Sequence, residues 1–91
     1  MKILAVFDTK GMNKAQYDAC ITALEKAGLG SPDGRLSHVC GIDDNRCFVT
    51  DVWDSAEQFA AFGETLMPIL QQIGVAVSEP MVIPFYNQIE G

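Results

Sequence analysis

The sequence predicts an α+β domain in which a four-stranded antiparallel sheet carries two helices on one face. Three observations support this. Apolar residues change period along the chain in the order strand, helix, strand, strand, helix, strand. Both helical stretches open on a capping signature, Asn13-Lys14-Ala15-Gln16 and Ser55-Ala56-Glu57-Gln58, where a short polar side chain is followed three residues later by Gln. The two middle strands are separated only by the polar turn Asp43-Asp44-Asn45, which makes them an antiparallel hairpin. This order is the ferredoxin-like βαββαβ arrangement.

The first strand covers Lys2 to Phe7 and is apolar almost throughout. Lys10-Gly11-Met12 is a loop, after which Asn13 caps a helix running to about Ala27. On that helix Tyr17, Cys20, Ile21, Leu24 and Ala27 recur at helical spacing and form one apolar face, and Gly28 stops it. Gly30-Ser31-Pro32-Asp33-Gly34 is a second loop. Leu36 to Ile42 and Arg46 to Trp53 are the hairpin strands. Ser55 caps the second helix, whose apolar stripe is Phe59, Phe62, Leu66, Ile69, Leu70 and Ile73. Pro68 lacks a backbone donor and clashes with the preceding turn, so a kink is expected near Gly63 to Met67. Gly74 ends this helix. Met81 to Ile89 reads as the last strand, with Pro84 marking an edge or a bulge.

At 91 residues, 48% hydrophobic and 20% charged, the chain is expected to form one domain, residues 1–91, around a modest core. A net charge of −6, with the six basic residues scattered, argues against nucleic acid and anionic membrane surfaces as partners. The first apolar run is shorter than that of a signal peptide, and no stretch approaches the roughly 18 apolar residues of a membrane span. A cytoplasmic protein is expected, with Cys20, Cys40 and Cys47 as reduced, largely buried thiols. A sheet with one solvated face alternates apolar and polar residues, but Ile3 to Phe7 and Met81 to Tyr86 do not. Both faces should therefore be covered. Two helices cover only one, so a second copy of the chain is the expected cover for the other, as a homodimer.

The hairpin carries the chemistry. It holds the only histidine, the only tryptophan, and an aspartate inside an apolar run, where strands normally exclude Asp. A turn from Asp43 to Arg46 sets those two residues opposite each other. Counting outward then pairs Cys40 with Val49, His38 with Asp51 and Leu36 with Trp53. A carboxylate beside an imidazole fixes its tautomer and raises its basicity, which makes His38 a candidate base and Asp51 its orienter. The competing reading is a core histidine satisfied by its neighbours. Trp53 and Phe62 are candidates for a pocket wall, although large aromatics at strand ends are commonly core. Tyr17, on the apolar face of the first helix, and Asn87, near the end of the last strand, are candidates to orient a ligand by hydrogen bonds, against a purely structural role. His38, Cys40 and Cys47 share a strand face and are soft ligands, but a hairpin is a cramped site with no second ligand pair. Neither a metal nor another cofactor is expected. Gly28-Leu29-Gly30 follows a helix rather than a strand, so it is a turn and not a dinucleotide loop.

The element order, together with Asp51-Val52-Trp53-Asp54-Ser55 leading into a helix with Phe59, Phe62 and Leu66-Met67-Pro68, resembles the dimeric α+β barrel superfamily. The similarity is strongest to the small antibiotic-biosynthesis-monooxygenase-like proteins and extends over nearly the whole chain. It implies a homodimer with facing sheets and a pocket in each subunit between sheet and helices. It also implies a choice of chemistries: cofactor-independent oxygenation of aromatic polyketides, haem degradation, or polyketide cyclisation. In the oxygenases the strand-three tryptophan, here Trp53, lines the pocket. The haem-degrading members use an Asn on strand one and a His on the second helix. This chain has Phe7 and Asp8 near the first position and no His at the second, so that branch is disfavoured. Two expectations remain. One is a cofactor-independent monooxygenase, isomerase or cyclase acting on a small apolar or aromatic molecule. The other is a non-catalytic ligand-binding or stress-related dimer. A pocket of roughly 300 Å³ or more beside His38 would favour the first.

Overall fold

The structure, a computed structural model, describes residues 1–76 and 78–91. Its elements are β1 (Ile3–Lys10), α1 (Lys14–Lys26), β2 (Arg35–Asp43), β3 (Arg46–Trp53), α2 (Ala56–Ile73) and β4 (Met81–Pro84). The strands form one antiparallel sheet in the order β2-β3-β1-β4, which is the expected ferredoxin-like topology.

Local chemistry sets the helix ends. The Asn13 carboxamide oxygen accepts from the Gln16 N–H, and the Asn13 N–H donates to Gln16 Oε1, both at 2.9 Å. This is a complete capping box. At the other end of α1, Gly28 N–H donates to the Glu25 carbonyl and Leu29 N–H to the Leu24 carbonyl, closing a Schellman motif around Gly28. Only half of the second capping box forms. Ser55 Oγ accepts from Gln58 N–H at 3.1 Å, but its hydroxyl also donates to Gln58 Oε1 at 3.0 Å, so the Gln58 side chain does not reach back to the Ser55 backbone. That side chain lies instead against Gly34, whose φ is +91° and where an added Cβ would overlap it. α2 continues as one helix through Pro68, which is exposed. The carbonyl that the proline leaves unpaired is therefore open to hydration.

The core lies between the helices and the inner sheet face. Trp53 and Ala5 are fully buried there with Ile3, Leu24, Phe62, Leu66 and Leu70. The Trp53 ring packs on Phe59 and Phe62 at centroid distances of 5.5 and 5.1 Å, a spacing at which aromatic pairs attract beyond their buried area.

Two sequence expectations need correction. The last strand stops at Pro84 instead of running to Ile89. Proline lacks the donor that a ladder needs, and only the Phe85 N–H, bonded to the Lys2 carbonyl, prolongs the pairing. Tyr86, Asn87 and Ile89 are exposed. The hairpin register holds from Asp43–Arg46 through His38–Asp51 and then slips between Arg35 and Ser37, so that Arg35, not Leu36, lies opposite Trp53.

The outer sheet face carries Leu4, Val39, Phe48, Thr50, Met81 and Ile83, with Val39 63% exposed. No helix among the described residues covers it. None is long and apolar enough to cross a membrane.

Candidate functional site

The His38–Asp51 pair sits on the inner face of the hairpin, and its geometry is tight. His38 Nδ1 lies 2.6 Å from Asp51 Oδ1. The other carboxylate oxygen, Oδ2, accepts from the Trp53 indole N–H at 3.2 Å. On the far side of the imidazole, the Tyr17 hydroxyl lies 2.7 Å from His38 Nε2. Four side chains therefore form one hydrogen-bonded chain from α1 through β2 to β3.

The donor inventory assigns the protons. A carboxylate only accepts and an indole only donates, so Asp51 takes the Trp53 N–H on one oxygen and the imidazole Nδ1–H on the other. In the neutral imidazole the Nε2 lone pair is then left to accept from the Tyr17 hydroxyl. Burial, reinforced by the neighbouring Cys40 sulfur, pushes the Tyr17 pKa up to about 12, so this phenol stays protonated at neutral pH and serves as a donor. Asp51 is only 2% exposed. It is tolerated inside a strand because both of its oxygens are bonded, and no buried side-chain N or O among the described residues lacks a partner. The His38 side chain remains 23% accessible.

A cavity lies beside this chain, between sheet and helices, with Met12, Tyr17, Arg35, His38, Asp51 and Phe62 on its wall among mostly apolar neighbours. Its volume is about 60 Å³, well short of the roughly 300 Å³ that would favour the catalytic reading. It takes a few waters, but is smaller than the roughly 150 Å³ that holds benzene.

The other candidates are placed as follows. Phe62 lines the cavity. Trp53 packs behind the wall and holds Asp51. Asn87 does not reach the site. It is exposed beyond the end of β4 and borders a hollow on the outer face with Leu4 and Val39. Cys40 and Cys47 have their sulfurs 3.6 Å apart as free thiols. Burial, and then the bond to Cys40, pushes the Cys47 thiol up to about 12. Among the described residues no three His, Cys, Asp or Glu side chains gather as a metal-ligand group.

Sequence reasoning missed Thr9, Met12 and Arg35 on the cavity wall. Thr9 was within reach, because carrying the Ala5, Phe7 alternation two residues further places it on the inner face. Arg35 arrives there through the register slip, which nothing in the local sequence announces.

No known family profile matches the sequence, and no curated protein does. Solved structures match its fold. A candidate antibiotic biosynthesis monooxygenase from Chloroflexus aurantiacus J-10-fl gives a TM-score of 0.69 at 21% identity, over 99% of this chain and 98% of that one. SnoaB, a cofactor-independent oxygenase from Streptomyces nogalater, gives 0.66 at 14% identity, over 99% and 97%. A candidate antibiotic biosynthesis monooxygenase from Deinococcus radiodurans gives 0.64 at 14% identity, over 99% and 97%. What these structures share with this chain is the fold, a four-stranded antiparallel sheet with two helices.

Proposed function

We propose that this chain, which has the fold of antibiotic-biosynthesis-monooxygenase-like proteins, is a cytoplasmic homodimer. In this reading it binds a small apolar or aromatic molecule between sheet and helices and removes a proton from it. The observation that carries the reading is the Tyr17–His38–Asp51 chain at the wall of an otherwise apolar cavity. Asp51 keeps the proton of His38 on Nδ1, so the Nε2 lone pair faces Tyr17 and the cavity. A substrate that displaces the Tyr17 hydroxyl puts its own acidic O–H or C–H within reach of Nε2. The displaced phenol, still protonated, is then free to donate to the oxyanion that develops. The resulting phenolate or enolate is electron-rich. It rearranges or cyclises, or reacts with dioxygen without a cofactor. SnoaB, of the same fold, is a cofactor-independent oxygenase.

A ring does not fit the cavity as it stands. Met12, unbranched and the most adaptable of the lining side chains, is the residue whose movement would enlarge it. The uncovered outer face, with Val39, Phe48 and Met81 exposed, supports the dimer.

A second reading, a non-catalytic ligand-binding or stress-related dimer, is favoured by the small cavity and by the pairing of every buried side-chain N and O among the described residues. One experiment separates the two. Phenols and quinones are screened by thermal shift, since a ligand of the native state raises apparent stability. Ligands found are then assayed for solvent deuterium incorporation and oxygen uptake, with His38→Gln as control. The first reading requires turnover that His38→Gln abolishes. Binding without turnover in the parent protein leaves the second.

A further inference from the structure

Proton transfer leaves one charged wall residue unused. Arg35 opens β2, and the register slip sets it opposite Trp53. A regular ladder carried outward from His38–Asp51 would put Leu36 at that position and turn Arg35 to the outer face. The bulge does the reverse: Leu36 is 52% exposed, and Arg35 lines the cavity with His38 and Tyr17. Bulges commonly re-aim side chains beside functional sites. Trading a buried leucine for an inward arginine also runs against hydrophobic patterning, the kind of local inconsistency that functional sites tolerate.

The guanidinium is held but not neutralised. Its Nη2–H donates to the Gly30 carbonyl at 3.0 Å. Among the described residues the ion pairs are His38–Asp51 and Asp8–Arg46, and Arg35 belongs to neither. Of the five N–H donors of a guanidinium, that leaves most without a protein acceptor. Its charge also reaches the Tyr17 hydroxyl, where it works against the effect of burial. In a chain of net charge −6, an arginine outside any ion pair, on a cavity wall that also carries Asp51, is a local exception.

We propose that Arg35 forms a carboxylate subsite. Its planar fork takes the carboxylate of a small organic acid bidentately, and the acid's apolar body lies toward Phe62 with its reacting atom toward His38 Nε2. The orientation toward His38 rests on the proton-transfer reading, whereas the subsite itself does not.

The test uses the full-length protein at low ionic strength, titrated with acetate and with acetamide. These probes are nearly equal in size, small enough for the cavity, and differ in charge. Arg35 side-chain and His38 ring signals are followed by NMR. Acetate should bind about fivefold more tightly than acetamide, in line with the greater strength of bonds to charged groups, and should weaken as salt is added. Arg35→Gln should erase the preference, and so should Arg35→Met, which keeps the apolar stem. His38→Gln should retain it. Equal binding of the two probes, or an acetate preference surviving in a folded Arg35 variant, overturns the proposal. Loss of turnover in His38→Gln bears on the base and not on the subsite, so the two ideas fail separately.

Discussion

Replacing Asp51 by Asn exposes the logic of the site, because it changes one atom and leaves the shape intact. In the parent protein both carboxylate oxygens accept, one from His38 and one from Trp53. A carboxamide has one acceptor and one donor, and the indole N–H cannot change its role. The Asn oxygen must therefore take the Trp53 N–H, and the Asn amino group then faces His38 Nδ1. The imidazole adapts by moving its proton to Nε2, which donates to the Tyr17 oxygen. Every group stays bonded, but the lone pair facing the cavity is lost. Hydrogen bonds to charged groups contribute about 1.5–3 kcal/mol against about 0.5–1.5 for neutral ones. Weakening two of them, offset by the smaller cost of burying an amide, should cost about 1–2 kcal/mol. In a domain of this size that lowers the midpoint by about 5–15 °C. Nitrogen NMR of the His38 ring reads the tautomer, and urea unfolding reads the stability. A variant that keeps its proton on Nδ1 and unfolds within about 0.5 kcal/mol of the parent would sink the assignment of protons given above.

Other perturbations follow from the same geometry. Tyr17, with its folded pKa near 12 against an ordinary 10.0, and Cys47, near 12 against 9.0, both hold protons longer when folded. Their contribution to stability is complete below the ordinary values and lost as pH rises toward 12. Urea unfolding at stepped alkaline pH should show that decline, flattened in Tyr17→Phe and in Cys47→Ala, and the absorbance phase near pH 12 should vanish in Tyr17→Phe. Gly34→Ala forces a side chain into a left-handed turn and against Gln58, and should cost about 1–3 kcal/mol by chemical denaturation. Val39→Lys places a charge on the uncovered outer face. Light scattering should report two copies for the parent and one for the variant at micromolar concentration, with circular dichroism unchanged.

The sequence made the central part of the site legible because strand pairing is arithmetic once a turn is located. Asp43-Asp44-Asn45 marked the turn, and the His38–Asp51 pairing followed from it. The helix caps were equally local, since Asn13 and Gln16 need only each other. What escaped depended on distant partners. Ser55 and Gln58 formed half a box because Gln58 rests on Gly34, a residue more than twenty positions away. The slip at Leu36 arose at the strand end, where the ladder loosens, and moved Arg35 to the wall. Asn87 was misplaced because apolar Phe85 and Tyr86 resemble strand after Pro84, although the ladder had already lost its donor. Tyr17 was placed on the right face by helical spacing, but its partner on β2 depended on how α1 crosses the sheet.

The strand order β2-β3-β1-β4 gives the members of the site unequal mechanical standing. Asp51 and Trp53 belong to β3, which is laddered on both sides and separates from its neighbours only when the sheet itself comes apart. His38 rides on β2, an edge strand bonded along one side, and Tyr17 on a helix that makes no ladder at all. Edge elements open at a fraction of the global unfolding free energy. Peeling β2 outward would therefore part the imidazole from a carboxylate that stays fixed. The carboxylate is thus anchored inside the sheet and the base on its edge, so amide hydrogen exchange should be slower along β3 than along β2.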